Sequence, residues 1–143
     1  MTARSGNTRL YHGTTALRLQ SILRDGRLRA DICGWMPPKV SLTPDREVAE
    51  YFAMVSDSGD HHDHPQEETG SVVLTLDRDA VERLARLQPY SDCFWGDGEC
   101  DWERELVAGQ DIELQDVLVA VRAPTEKQLE RANAHLHRLR RDR

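Results

Sequence analysis

The sequence predicts a single mixed α/β domain, and three observations carry that expectation. Short apolar runs of strand length alternate with longer segments whose apolar residues recur at helical spacing. Residues that start and stop helices sit at the ends of the periodic segments, as in Asp25-Gly26 and Thr43-Pro44. No internal repeat or linker interrupts the 143 residues, a length that suits one domain with a real core.

The elements follow in order. Residues 1–8 are polar and read as flexible, and Leu10-Tyr11 reads as a short strand. A helix is expected over residues 15–24, opening at Thr14 or Thr15, with Leu19, Ile22 and Leu23 on one face and Asp25-Gly26 as its stop. Residues 28–38, with Gly34, Pro37 and Pro38, read as a loop, and residues 39–43 as a strand. Thr43 is then expected to cap a second helix with Pro44 at its first position, its apolar face being Val48, Phe52 and Val55. Residues 56–69 read as an exposed polar loop and residues 71–76 as a strand. A helix is expected over residues 77–87 through Val81, Leu84, Ala85 and Leu87, followed by a loop over 88–101. Residues 102–108, 112–114 and 117–121 read as strands. A C-terminal helix within residues 124–139 opens at Thr125, where Gln128 completes a capping box, and buries Leu129, Ala132, Leu136 and Leu139.

Composition excludes several classes. Charged residues are frequent but mixed in sign, and the net charge is −6, which argues against tight sequence-independent nucleic-acid binding. The basic run at residues 138–143 reads as a solvated helix end, where positive charge suits the helix dipole. No apolar run approaches the ~20 residues of a membrane span, and no secretory leader pattern opens the chain, so a cytoplasmic protein is expected. Cys33, Cys93 and Cys100 are an odd set that reads as free thiols, and the spacing from Cys93 to Cys100 is too long for a tight zinc hook. The cluster His61, His62, Asp63 and His64 offers metal-ligand types but reads as a solvated loop, so no metal is expected.

Tyr11-His12-Gly13-Thr14 is the segment richest in chemical implication. A histidine at a strand end, followed by a glycine that lets a ligand approach the backbone, suits hydrogen bonding to a sugar or amide. Two further segments complete an order: residues 40–53, carrying Ser41, Ala49 and Tyr51, and residues 102–107, carrying Glu103 and Glu105. Glu103 and Glu105 fall on one face of a strand, because strand side chains alternate. His12 also reads as an ordinary strand-end histidine, Tyr51 as core beside Val48 and Phe52, and the two glutamates as a solvated strand face. Phe94, Trp95 and Trp102, near Gly96 and Gly98, read either as a recognition loop or as packing under a sheet.

This order resembles the ADP-ribosyltransferase superfamily, in particular its diphtheria-toxin-like and poly(ADP-ribose) polymerase branch, marked by a His-Tyr-Glu triad. The resemblance spans residues 10–121. It implies a fold of two small, mainly antiparallel sheets framing an NAD cleft with peripheral helices. It implies that His12 holds the nicotinamide ribose, that the Gly13 backbone holds the nicotinamide amide, and that Thr14 completes the motif. Tyr51 would stack on nicotinamide, and Glu105, with Glu103, would supply the catalytic carboxylates. The family's strand tyrosine has no counterpart: Ser41 or Val40 stands there. Ser41 and the pair Glu103-x-Glu105 also resemble the Arg-Ser-Glu branch.

The implied activity is mono-ADP-ribosyl transfer. NAD is the substrate, and the acceptor is a macromolecule, protein ahead of nucleic acid, with no membrane involved. Cleavage of nicotinamide passes through an oxocarbenium-like ribosyl cation, which a carboxylate stabilises and a flat ring assists by gripping the leaving group. Two rivals stand beside it. One is an NAD-dependent RNA 2′-phosphotransferase-like enzyme, disfavoured by the acidic balance. The other is a catalytically silent module that binds NAD or ADP-ribose.

Overall fold

The structure is a computed structural model that describes residues 8–30, 39–58, 69–89 and 105–141. Four helices and eight short strands are formed among them, and every strand pairing is antiparallel.

The first strand, β1 (Arg9–Thr15), is longer than Leu10-Tyr11 alone suggests because all seven residues pair with β4 (Ser71–Asp77). β8 (Leu118–Arg122) closes the other edge of β4, giving a sheet ordered β1-β4-β8. A second sheet is ordered β3-β6-β5, from β3 (Val40–Leu42), β6 (Leu106–Ala108) and β5 (Leu87–Pro89). A small ribbon joins β2 (Arg27–Leu28) to β7 (Ile112–Glu113). Leu10, Leu74 and Leu76 of the first sheet meet Val40, Leu42, Leu106 and Ala108 of the second in one buried core, with Leu28 and Ile112 of the ribbon. Each buried Val, Leu or Ile among them contributes about 1.5–3 kcal/mol of burial.

Local chemistry sets most helix ends. Thr15 caps α1 (Ala16–Asp25) by accepting from Arg18 N–H at 3.2 Å, and Thr69 Oγ1 takes the next free donor, Leu17 N–H, at 3.1 Å. Gly26, at φ 70°, ends the helix in the left-handed region with its N–H on the Ile22 carbonyl, the stop expected from Asp25-Gly26. At α4 (Glu126–Arg141) the capping box forms as expected: Gln128 N–H donates to Thr125 Oγ1 at 3.1 Å and Thr125 N–H to Gln128 Oε1 at 2.8 Å. Ala132 and Leu136 of its expected stripe are buried.

Several expected boundaries shift. The cap of α2 (Arg46–Ser58) is Asp45, not Thr43: Asp45 Oδ1 accepts from Glu47 N–H at 2.9 Å, and its carbonyl accepts from Ala49 N–H. Thr43 is still extended because its backbone is bonded to Tyr11, so the helix opens only after the turn through Pro44. α2 runs on to Ser58, into the segment read as a loop. α3 (Arg78–Leu84), capped by Asp77, stops short of Leu87, which enters β5 with Gln88 and Pro89. Leu84, expected on the buried face of that helix, is exposed, whereas Ala80 and Val81 are buried. Leu28, read as loop, is a buried strand residue held by the ribbon with β7.

Two contacts of α2 position everything that follows. One face lies on β1 through Ala49 and Ala53, both fully buried. An adjoining face packs against α4, where Val48 and Leu136 are buried together with Tyr51 and Phe52 alongside.

Candidate active site

Among the described residues, one backbone-paired residue pair joins the first and second sheets. Tyr11 N–H donates to the Thr43 carbonyl at 2.7 Å, and Thr43 N–H to the Tyr11 carbonyl at 3.0 Å. The pairing of β1 with β3 then stops, and the two strands part. Had the ladder continued, Gly13 would face Ser41. Instead the ring of His12 takes the Ser41 carbonyl, Nδ1 to oxygen at 2.9 Å. A carbonyl oxygen only accepts, so Nδ1 carries the proton of this hydrogen bond.

The same parting leaves a length of backbone edge. In an antiparallel strand the N–H and C=O of one residue point to one side, and successive residues alternate. Tyr11 points at β3, so Gly13 does too, while Leu10, His12 and Thr14 bond toward β4. Among the described residues no backbone group meets the N–H and C=O of Gly13 on that edge.

Gly13 also answers a packing demand. A Cβ built there would collide with the Ala49 carbonyl oxygen and lie 2.8 Å from Ala53 N. β1 and α2 therefore touch backbone to backbone, which only glycine permits. The helix covers the Cβ side of Gly13, while its peptide edge faces the β3 side.

Glu105 immediately precedes β6. Leu106 lies opposite Leu42, so one step further along the register sets Glu105 beside Thr43, the residue joined to Tyr11. His12 and Glu105 thus stand about two interstrand spacings apart, roughly 10 Å. Glu105 is 5 % exposed, and its Oε2 is buried with no hydrogen-bond partner among the described residues. Burial pushes its carboxyl up to about 7, with the charge of Lys39 opposing that rise.

Alternation places Lys39, Ser41 and Thr43 of the β3 segment on one face of the second sheet, with Glu105 and Val107 of the β6 segment. The other face carries Val40, Leu42, Leu106 and Ala108 and is core. Gln88, opposite Val107, adds a polar side chain from β5. Ser41 is half-buried on that face, two positions from Thr43.

The remaining expected site residues fall as follows. Thr14 is buried on β1 opposite Val72. Tyr51 is half-buried on the α4-facing side of α2, edge-on to Phe52 with ring centroids 6.2 Å apart, beside Val48 and Leu136. That is the packing alternative its helical spacing allowed. Glu103, Phe94, Trp95, Trp102, the three cysteines and residues 61–64 lie outside the described residues.

Lys39 and Glu50 were not singled out by sequence reasoning. Glu50 is 3 % exposed, with Arg46 Nε 3.5 Å from its carboxylate, and burial raises its carboxyl above the ordinary range. Its only sequence signal is the i,i+4 spacing from Arg46. Asp45, Glu47 and His135 bring one ligand-type atom each within 4.8 Å of one another. His135 Nε2 lies 2.8 Å from Asp45 Oδ2, and Asp45 caps α2, so the cluster is explained as a cap and an α2–α4 tether. The positive end of α2 disfavours a cation there.

The chain matches no family model and no curated protein. No described helix is long and apolar enough to cross a membrane.

Proposed function

We propose that the gap between the two sheets is an NAD cleft and that the chain is a mono-ADP-ribosyltransferase of the ADP-ribosyltransferase fold. The observation that carries this reading is Glu105: a buried carboxylate with an unpartnered oxygen, one strand away from the junction where β1 and β3 separate. A carboxyl group held in that state costs stability, and such costs concentrate at sites that meet a ligand.

In this reading the Gly13 peptide edge receives the nicotinamide amide through one donor and one acceptor. The His12 ring, oriented by its bond to Ser41, lies beside the nicotinamide ribose and hydrogen-bonds one of its hydroxyls. As the glycosidic C–N bond breaks, nicotinamide departs with the bonding electron pair and positive charge develops on the ribose. Ionised Glu105 stabilises that charge and orients a ribose hydroxyl. The acceptor's nucleophile then bonds to the anomeric carbon and gives up its proton. Glu103, two residues earlier on the chain, would reach the acceptor.

The test is incubation with NAD labelled in the adenylate half, with and without cell lysate, separating protein, nucleic acid and free ADP-ribose. Nicotinamide release with label on protein is expected, and its loss in Glu105→Gln. Absence of both NAD binding and nicotinamide release would overturn the reading.

A silent binding module is the second reading, favoured by the packing of Tyr51 toward α4 rather than alone at a cleft. NAD binding without nicotinamide release would select it.

A further inference from the structure

Lys39 belongs to neither the His-Gly segment nor the helix with Tyr51, yet the topology brings it to the same polar face as Glu105. That face is built from alternate residues of two paired strands, and β6 is hydrogen-bonded to β3 on one edge and β5 on the other. β5 contributes Leu87, Gln88 and Pro89, none of them charged. The β3 segment contributes Lys39, Ser41 and Thr43, and Tyr11 lies across the junction from Thr43. The β3 segment therefore presents Lys39 as a half-buried cation on this face, and Arg86, exposed one position before β5, falls at the matching alternation position.

The separation suits a long side chain. Glu105 stands beside Thr43, four residues from Lys39 along an extended strand, about 13 Å between backbones. A lysine stem and a glutamate stem pointing to the same side close much of that distance. Lys39 is half-buried, so its charge acts through a medium less screening than water.

We propose that Lys39 is a positioning residue of the site: its ammonium group, on the polar face of the second sheet, sets the electrostatic environment of the Glu105 carboxylate. The proposal rests on the reading of Glu105 as the functional carboxylate. Burial alone drives Glu105 toward its neutral form, which can neither stabilise a ribosyl cation nor accept a hydroxyl proton. A cation on the same face opposes that drift and keeps a usable fraction ionised near neutral pH.

The experiment is a carbon-detected NMR titration of the Glu105 side-chain carboxyl, assigned by comparison with Glu105→Gln. It is run on the wild-type chain, Lys39→Met, Lys39→Gln and Lys39→Arg without ligand. Both neutral variants should move the Glu105 midpoint upward by about half a unit or more, and Lys39→Arg should restore it. Lys39→Gln keeps the test open should Lys39→Met fail to fold. An unmoved midpoint in the folded neutral variants overturns the proposal, as does an arginine variant shifted as far as the neutral ones.

NAD cleavage by the same variants is read separately against pH. If the titration shifts and the cleavage profile shifts with it, Lys39 acts on the reaction through Glu105. If the carboxyl shifts while no NAD is cleaved by any form, the coupling stands and the NAD reading falls.

Discussion

The His12 ring bonds the Ser41 carbonyl at the point where β1 and β3 separate, Nδ1 to oxygen 2.9 Å across 29 residues of sequence. The contact substitutes a side chain for a rung of the ladder. It orients the imidazole and leaves the peptide edge of Gly13 turned toward the β3 side. His12→Ala removes the donor from Ser41. A loss of about 1–2 kcal/mol is expected, the cost of an unmade, half-buried hydrogen bond. NAD affinity should fall as well, measured by calorimetry beside a urea unfolding series. Wild-type affinity in a folded His12→Ala variant would remove His12 from the site.

Glu105 makes stability depend on pH. Its folded carboxyl titrates near 7, well above the ordinary value of 4.5, so the native state binds the proton more tightly than the unfolded chain. The stabilisation from that proton is complete below about pH 4.5 and is lost as pH rises to about 7, some 3 kcal/mol in all. Glu105→Gln should abolish this slope. Urea midpoints at pH 5 and pH 8 should diverge in the wild type and converge in the variant. The same substitution should lower nicotinamide release by about 10²–10³, and wild-type release in Glu105→Gln would remove it from catalysis.

Gly13→Ala tests the helix contact. The added methyl meets the Ala49 carbonyl and Ala53 N, both backbone atoms that cannot rotate away. A loss of about 3 kcal/mol or more is expected, at the upper end of overpacking costs. A thermal melt within a few degrees of wild type would show that α2 shifts freely on β1.

Tyr51 separates packing from ring stacking. Its ring lies among Val48, Phe52 and Leu136, so Tyr51→Ala should cost about 1–3 kcal/mol, less than a fully buried aromatic, and Tyr51→Phe, which keeps the ring, less than Tyr51→Ala. NAD affinity measured on both folded variants decides the second role. Equal affinity in the two makes Tyr51 a packing residue, and selective loss in the alanine form makes it a platform for nicotinamide.

The features legible in the chain alone are those that short-range forces decide. The capping box of Thr125 and Gln128, the Thr15 cap and the Gly26 stop each involve groups within four residues of one another. The apolar faces of α2 and α4 were legible because helical periodicity repeats within one element. The residues His12, Gly13, Ser41 and Glu105 were legible as chemical types in a suggestive order.

Their arrangement was decided by tertiary structure. Thr43 loses the helix cap to Asp45 because its backbone is committed to Tyr11 on another strand. Leu87 leaves a helical pattern for β5 because β6 offers it a ladder across 21 positions of chain, opposite Ala108. Glu105 is buried with an orphan oxygen because Leu106 pairs with Leu42 and draws its neighbour to the junction of two sheets. Gly13 is needed because a helix more than thirty residues later lays its backbone against it. Hydrogen-bond partners and desolvation between distant segments exist only once the chain has folded, so no local pattern encodes them.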